Sequence, residues 1–178
     1  AFPSYVDQKA VMPLDDFTAA STTDLSVLTE KSVQAFSLNG VKYGMPYSYS
    51  TVVLIYNKDL FDQAGVAYPT NDWTWADADA AALKIKALGD DYYGLIQPIS
   101  TYEFFKVVKQ YNGGLLNDDN TAFTVNRPEN VQALQRLVDN VQVTNICPSV
   151  EQRGSLDEWG VFKLGKTGMI VTGIWAFP

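Results

Sequence analysis

The run from Gly40 to Trp75, GVKYGMPYSYSTVVLIYNKDLFDQAGVAYPTNDWTW, most constrains the fold, because it lays two strands, a short helix and the start of a second helix in a set order. Asn39-Gly40 is a turn pair that tolerates positive φ, and it leads into a short β-rich stretch, Val41 to Met45. Pro46 closes that stretch, since proline has no N–H to give a ladder. Val52 to Tyr56 is continuously apolar and rich in β-branched residues, as expected of a strand covered on both faces in a parallel sheet with helices above and below. Between the two lies Tyr47-Ser48-Tyr49-Ser50-Thr51, in which every side chain carries a hydroxyl, a natural place to hold a hydroxylated ligand. Asn57 predicts the cap of a helix over Lys58 to Ala64 with Leu60 and Phe61 inward, and Gly65 its left-handed end. Pro69 blocks further helix, and Thr74 with Asp77 starts the next one.

Outside that run, Ser4 to Ala10 and Leu25 to Phe36 are expected as short helices, with Leu14 to Phe17 as a bend and Ser21 to Thr23 as a loop. The alanine-rich segment Thr74 to Leu88 has helical spacing and stops at Gly89. Tyr92 to Gln97 is a predicted strand ended by Pro98, and Thr101 to Asn112 a helix with Phe104, Val108 and Tyr111 on one face, closed by Gly113-Gly114. Leu115-Leu116 and Ala122 to Val125 flank Asn117 to Thr121 as a hairpin. Pro128 opens a helix with Val131, Leu134, Val138 and Val141 inward. Ser155 and Glu158 make a capping box for Leu156 to Leu164, and Met169 to Thr172 is a buried strand. Helices alternating with strands give the class α/β with a largely parallel sheet.

Composition removes several kinds of chemistry. The net charge of −7 argues against nucleic acid and against a basic membrane-binding face, and favours a neutral or cationic partner. The chain has no histidine, which excludes Ser/His/Asp catalysis and histidine metal sites. Cys147 is its only cysteine, which excludes an intrachain disulfide and a multi-cysteine zinc site, so neither metal nor cofactor is expected. There is no apolar stretch of about 18 residues, and Ala1-Phe2-Pro3 is not a signal peptide. The chain as it stands is expected to be soluble, with any targeting segment outside it.

The order and spacing of several segments carry a resemblance: GMPYSYSTVVLIYNKDLF, AGVAYPTNDWTWADADAAALKI, YYGLIQP, YEFFKVVKQYNGGLLNDDNTAFTVNRPE and GKTGMIVTGIWA. Together they span nearly the whole chain, which resembles the extracellular solute-binding proteins of family 1, the maltose-binding-protein-like receptors of sugar ABC transporters. The resemblance implies a periplasmic-binding-protein type II-like α/β fold, with a parallel-rich sheet covered by helices on both faces. In that family two lobes face each other across a cleft and close on the ligand by a hinge. Residues 1–56 would be part of the N-terminal lobe with a hinge strand, 57–172 the C-terminal lobe, and 173–178 the return hinge. Pro46 to Asn57 would be one crossing between lobes. A complete member extends beyond both ends, so the chain is expected to be an internal fragment of the two-lobe fold.

The resemblance also implies ligand contacts at Tyr49 and Ser50 in the hinge loop, at Tyr102 at the start of the helix after YYGLIQP, and at Trp175 after the last strand. A pyranose has one face rich in C–H bonds, which an indole or phenol ring stacks beneath, while its hydroxyls need paired donors and acceptors. Each position has a plainer reading. Trp175 after an apolar strand can be a core aromatic, and Tyr102 beside Phe104 and Phe105 can serve packing alone. Tyr47 and Tyr49 can pack a hinge, and Trp73 and Trp75 read as a hydrophobic staple. Asn117 to Asn120 lacks the glycine and distal glutamate of a calcium loop and reads as a solvated turn.

The function implied is a non-catalytic receptor subunit of an ABC importer, binding a carbohydrate, an oligosaccharide by preference. Its partners would be the sugar and the membrane permease subunits, with no nucleic acid and no membrane insertion by this chain. It would work outside the cytoplasm, as a periplasmic protein or a cell-surface lipoprotein. Two alternatives stand beside it: the same fold holding a quaternary amine in an aromatic cage, and a glycoside hydrolase, which needs two carboxylates about 5 to 9 Å apart. The adjacent pairs Asp15-Asp16, Asp90-Asp91 and Asp118-Asp119 fall in loops, where solvation explains them.

Overall fold

In the computed structural model, which describes residues 2–22 and 24–176, the chain separates between Thr51 and Val52 into two units, Ala1–Thr51 and Val52–Pro178. Ala1, Thr23, Phe177 and Pro178, which enter the N-terminal, Ser21–Thr23 and 173–178 readings, lie outside the described residues.

The first unit holds α1 (Phe2–Asp7), α2 (Asp15–Ala20), a 3-10 turn (Leu25–Val27), α3 (Glu30–Gln34), β1 (Ser37–Leu38) and β2 (Val41–Lys42). Asn39 and Gly40 have φ of 51° and 80°, the primed turn that joins two antiparallel strands. Strand β2 stops at Lys42, short of the expected Met45, because its partner β1 offers only two residues. The expected helix Leu25 to Phe36 is broken in two. Asp24, just before it, caps the first piece by accepting from Ser26 N–H, and Thr29 within it caps the second by accepting from Ser32 N–H, each starting from an extended conformation. Leu14 to Phe17, expected as a bend, instead launches α2, which the Asp15 carboxylate ties to the Lys42 N–H at 3.1 Å.

The second unit contains β3 (Val52–Tyr56), α4 (Lys58–Gln63), α5 (Trp75–Lys86), β4 (Tyr93–Ile96), α6 (Thr101–Gln110), α7 (Pro128–Gln142), α8 (Val150–Arg153), α9 (Glu158–Lys163) and β5 (Thr167–Gly173), followed by a 3-10 turn (Ile174–Ala176). Strand order is β3-β5-β4, with β5 in the middle. Strand β4 runs parallel to β5, but β3 runs antiparallel from Val52↔Gly173 to Tyr56↔Met169, so the sheet is mixed where a largely parallel one was expected. The apolar run of β3 is an edge strand with Val52 and Val53 exposed, not one covered on both faces. The domain reading groups this strand with residues 1–56; it hydrogen-bonds along its length to β5 of the second unit.

Alternation along the strands sends Leu95 and Met169 to one face and Ile96 and Ile170 to the other. Helices α4 and α5 cover the first face with Leu60, Phe61, Ala81, Ala82 and Ile85, and α9 covers the second with Val161 and the half-buried Trp159 and Phe162. The alanines of α5 allow close approach: a Cβ at Gly94 would overlap the Ala82 backbone. Trp73 stacks on Phe61 with ring centroids 6.1 Å apart, the staple expected at the entry of α5, whose Thr74–Asp77 capping box is present. Helices α6 and α7 pack on each other through Val107, Val108, Ala133 and Leu137.

Two helices depart from expectation. Helix α7 buries Val141 as expected, but elsewhere it turns one position from the predicted stripe, burying Asn130, Ala133 and Leu137 and leaving Val131 and Leu134 exposed and Val138 half-buried. Asn130 accounts for this, since its amide accepts from Gly114 N–H and donates to the carbonyls of Gly114 and Thr124. A side chain satisfying three backbone groups outranks an apolar one for the inward position. Helix α9 is capped by Asp157, which accepts from Gly160 N–H at 2.6 Å, so the Ser155–Glu158 box does not form. The Leu116↔Phe123 bridge closes the expected hairpin, and the Asn117 and Asp119 side chains are turned onto Thr121 and Ala122 within it.

Cys147 is fully buried and accepts from Gln97 N–H at 3.4 Å. Burial pushes its thiol up to about 11, against the opposing pull of the Gln97 N–H. The fold thus keeps the proton where the unfolded chain has lost it. The stability this contributes is fully present below the thiol's ordinary 9.0 and is lost as pH rises through about 11. We expect urea midpoints to fall between about pH 8 and about pH 10.5 more steeply in the native sequence than in Cys147→Ala. Equal slopes would show that the thiol is not held protonated.

Candidate functional site

Strands β4 and β5 run parallel and end on the same side of the sheet, at Ile96 and Gly173. The crevice beyond the carboxyl ends of parallel strands is where open α/β sheets hold ligands, because the loops leaving them diverge there. Beyond β4 the chain passes Pro98 and Ser100, whose hydroxyl caps α6 by accepting from Glu103 N–H at 3.2 Å, and so places Tyr102 on the first turn. Beyond β5 the 3-10 turn carries Trp175, whose ring lies over Gly173 so closely that a Cβ there would overlap it.

These two turns flank one open groove of about 710 Å³. Tyr102 and Trp175 are 81% and 67% exposed, so neither is a core aromatic. Phe105 adds a third apolar ring to the lining, and Glu103, Lys106 and Glu158 supply charge. Glu103 pairs with Lys106 one helical turn on, and Glu158 receives Arg153 at 2.6 Å. Sequence reasoning missed all three charged residues. The Glu103–Lys106 spacing of three was a readable sign of a pair, whereas Glu158 comes from a separate helix. Each carboxylate of the groove is engaged by a cation, which leaves neither free for the acid role of a glycosidase.

Tyr49 and Ser50 belong to the first unit and are exposed, as are Tyr47 and Ser48. Tyr47, Ser48 and Tyr49 line a hollow of about 300 Å³ with Thr29 and Ser32, and Ser50 is outside that lining.

Behind the groove runs a buried polar chain. Arg136 on α7 grips Asp79 on α5 through two nitrogens, at 2.8 and 2.5 Å, and lies over the Trp75 ring at 4.1 Å. Its third nitrogen donates to Gln97 Oε1 at 2.7 Å, and Gln97 Nε2 donates to Glu103 Oε2 at 3.3 Å. Asn140 also donates to Asp79. Among the described residues, no cluster of three or more acidic, Cys or His side chains is placed to hold a metal, and no helix is long and apolar enough to cross a membrane.

The family model for bacterial extracellular solute-binding proteins matches residues 1–178, and the chain belongs to that family. A binding protein of Brucella abortus (strain 2308) is 31% identical over 172 residues, covering 94% of this chain and 41% of its own length. The arabinooligosaccharide-binding protein of Halalkalibacterium halodurans is 25% identical over 147 residues, covering 82% of this chain and 32% of its own. A solved ABC substrate-binding protein from Listeria monocytogenes, in complex with cycloalternan, superposes with a TM-score of 0.91 at 40% identity, over 99% of this chain and 46% of that one. The chain therefore spans less than half the length of these relatives, and its α/β fold is part of theirs.

Proposed function

We propose that the protein is the substrate-binding receptor of an ABC importer and that it binds a carbohydrate, an oligosaccharide by preference, without catalysing a reaction. The observation that carries this is the pair of exposed rings, Tyr102 and Trp175, in one groove with ionic groups at its wall. Flat apolar surface beside paired donors and acceptors is what a sugar ring requires. The cycloalternan complex of the Listeria protein and the arabinooligosaccharide-binding protein of Halalkalibacterium support the same ligand class. Tyr49 and Ser50 are further ligand contacts in this reading, on the strength of their exposure and hydroxyl chemistry. The lobe crossing assigned to Pro46–Asn57 is supported by the Thr51/Val52 boundary, which falls inside it. Residues 57–172 are then one lobe and 173–178 the return. The receptor works outside the cytoplasmic membrane, in the periplasm or tethered as a lipoprotein, and delivers its ligand to the permease subunits.

The test is thermal stability of the full-length protein against cycloalternan, maltotriose and arabinooligosaccharides, with choline and betaine as controls. A sugar at about 100 times its dissociation constant stabilises by roughly 2.7 kcal/mol, several degrees in melting temperature. A shift with a sugar and none with the amines is expected. A shift with the amines alone would replace the sugar platform by a cation cage.

A further inference from the structure

We propose that the Glu103–Lys106 ion pair is the element of this groove that recognises neighbouring hydroxyls of the ligand, and that Gln97, held by Arg136, is the positioning residue that aims it. The inference rests on the carbohydrate reading and narrows it to a neutral ligand with a free vicinal diol.

Glu103 is only 8% exposed, yet with Lys106 it lines the groove. Holding an ion pair away from water costs desolvation that its own attraction barely offsets, so apolar residues would suit a purely structural wall better. The pair also has capacity to spare. Among the described residues, Glu103 takes one hydrogen bond from Lys106 on Oε1 and one from Gln97 on Oε2. An ammonium has three donors and each carboxylate oxygen two lone pairs, so both partners keep groups for a ligand. A vicinal diol, in which each hydroxyl donates once and accepts, matches an adjacent acceptor and donor. The pair carries no net charge. It therefore offers no net attraction to a quaternary amine or to a phosphate, and its adjacent donor and acceptor suit a neutral ligand better.

Gln97 is 1% exposed, and the orientation of its amide is decided by its neighbours. Arg136 donates to its Oε1, which leaves Nε2 to face Glu103. Arg136 is in turn fixed by the two-point grip on Asp79 and by the Trp75 ring. The relay thus runs from α5 through α7 and Gln97, the residue after β4, to the first turn of α6, the turn that carries Tyr102.

Calorimetric titration of the full-length protein with maltotriose and with cycloalternan tests this. Glu103→Gln and Lys106→Met are each expected to weaken binding by about tenfold or more, as loss of a charge-assisted hydrogen bond does. The double variant should fall short of the product of the two, the sign of a coupled pair. Gln97→Leu should also weaken binding, and adding Glu103→Gln to it should cost little more, a result that a merely structural role for Gln97 does not give. Lys106→Met, at a half-buried position, keeps the test sound if a deeper substitution lowers stability. Affinities of both single variants within about twofold of the native protein, for a sugar that the native protein binds, would overturn the pair's role alone. A native protein that binds neither sugar would overturn the carbohydrate reading and this inference with it.

Discussion

Arg136→Ala is expected to lower the unfolding free energy by about 3–5 kcal/mol, the loss typical when one partner of a buried ion pair is removed. The side chain is 8% exposed and joins the Asp79 carboxylate, the Gln97 amide and the Trp75 ring. Its removal leaves a three-quarters-buried carboxylate with the Asn140 amide in place of a cation, takes the Arg136 donor from the Gln97 amide oxygen, and opens a void between α5, α7 and the end of β4. The measurement is a urea midpoint at unchanged slope. The double variant Asp79→Leu with Arg136→Met should recover most of the loss, since replacing both charges by apolar groups removes the desolvation penalty too. A loss below about 1 kcal/mol for Arg136→Ala would show that the network is screened by water.

Trp175→Ala is expected to weaken sugar binding by about 2 kcal/mol or more, roughly thirtyfold, as for an aromatic anchor in a binding groove. Stability should hardly change. The ring is mostly exposed and rests on Gly173, so its removal leaves no cavity in the core. Trp175→Phe, which keeps a flat apolar face, should retain most of the affinity. The two readouts separate a ligand platform from a packing residue: a packing residue would lose melting temperature and spare affinity. Unchanged affinity for a sugar that the native protein binds would remove Trp175 from the site.

Local chemistry was legible at most positions where one residue decides one backbone group, although Asp157 took the cap of α9 from Ser155 and the Thr29 cap went unread. The Asn57 cap, the Thr74–Asp77 box, the Asn39-Gly40 turn and Pro128 at the start of α7 all stand as expected, because each concerns atoms within a few residues. The larger misses depend on partners distant in sequence. The run Val52 to Tyr56 has the composition of a central parallel strand, and only its pairing with Met169 to Gly173 makes it an antiparallel edge. In α7 the apolar stripe pointed one position away from the true inner face, because Asn130, Arg136 and Asn140 are drawn inward by Gly114, Gln97 and Asp79, none of which neighbours them in the chain. The groove divides in the same way. Tyr102 and Trp175 were singled out through the family resemblance of the segments that hold them, but Glu103, Lys106 and Glu158 acquire their place only when α6 and α9 meet at the end of the sheet.

A crystal structure of the full-length protein with the sugar that gives the largest thermal shift tests the central claim most directly. We expect a pyranose ring stacked on Trp175, within reach of the Tyr102 hydroxyl and of the Glu103–Lys106 pair, at the carboxyl ends of β4 and β5. A sugar bound with Trp175 and Tyr102 still open to solvent would contradict it.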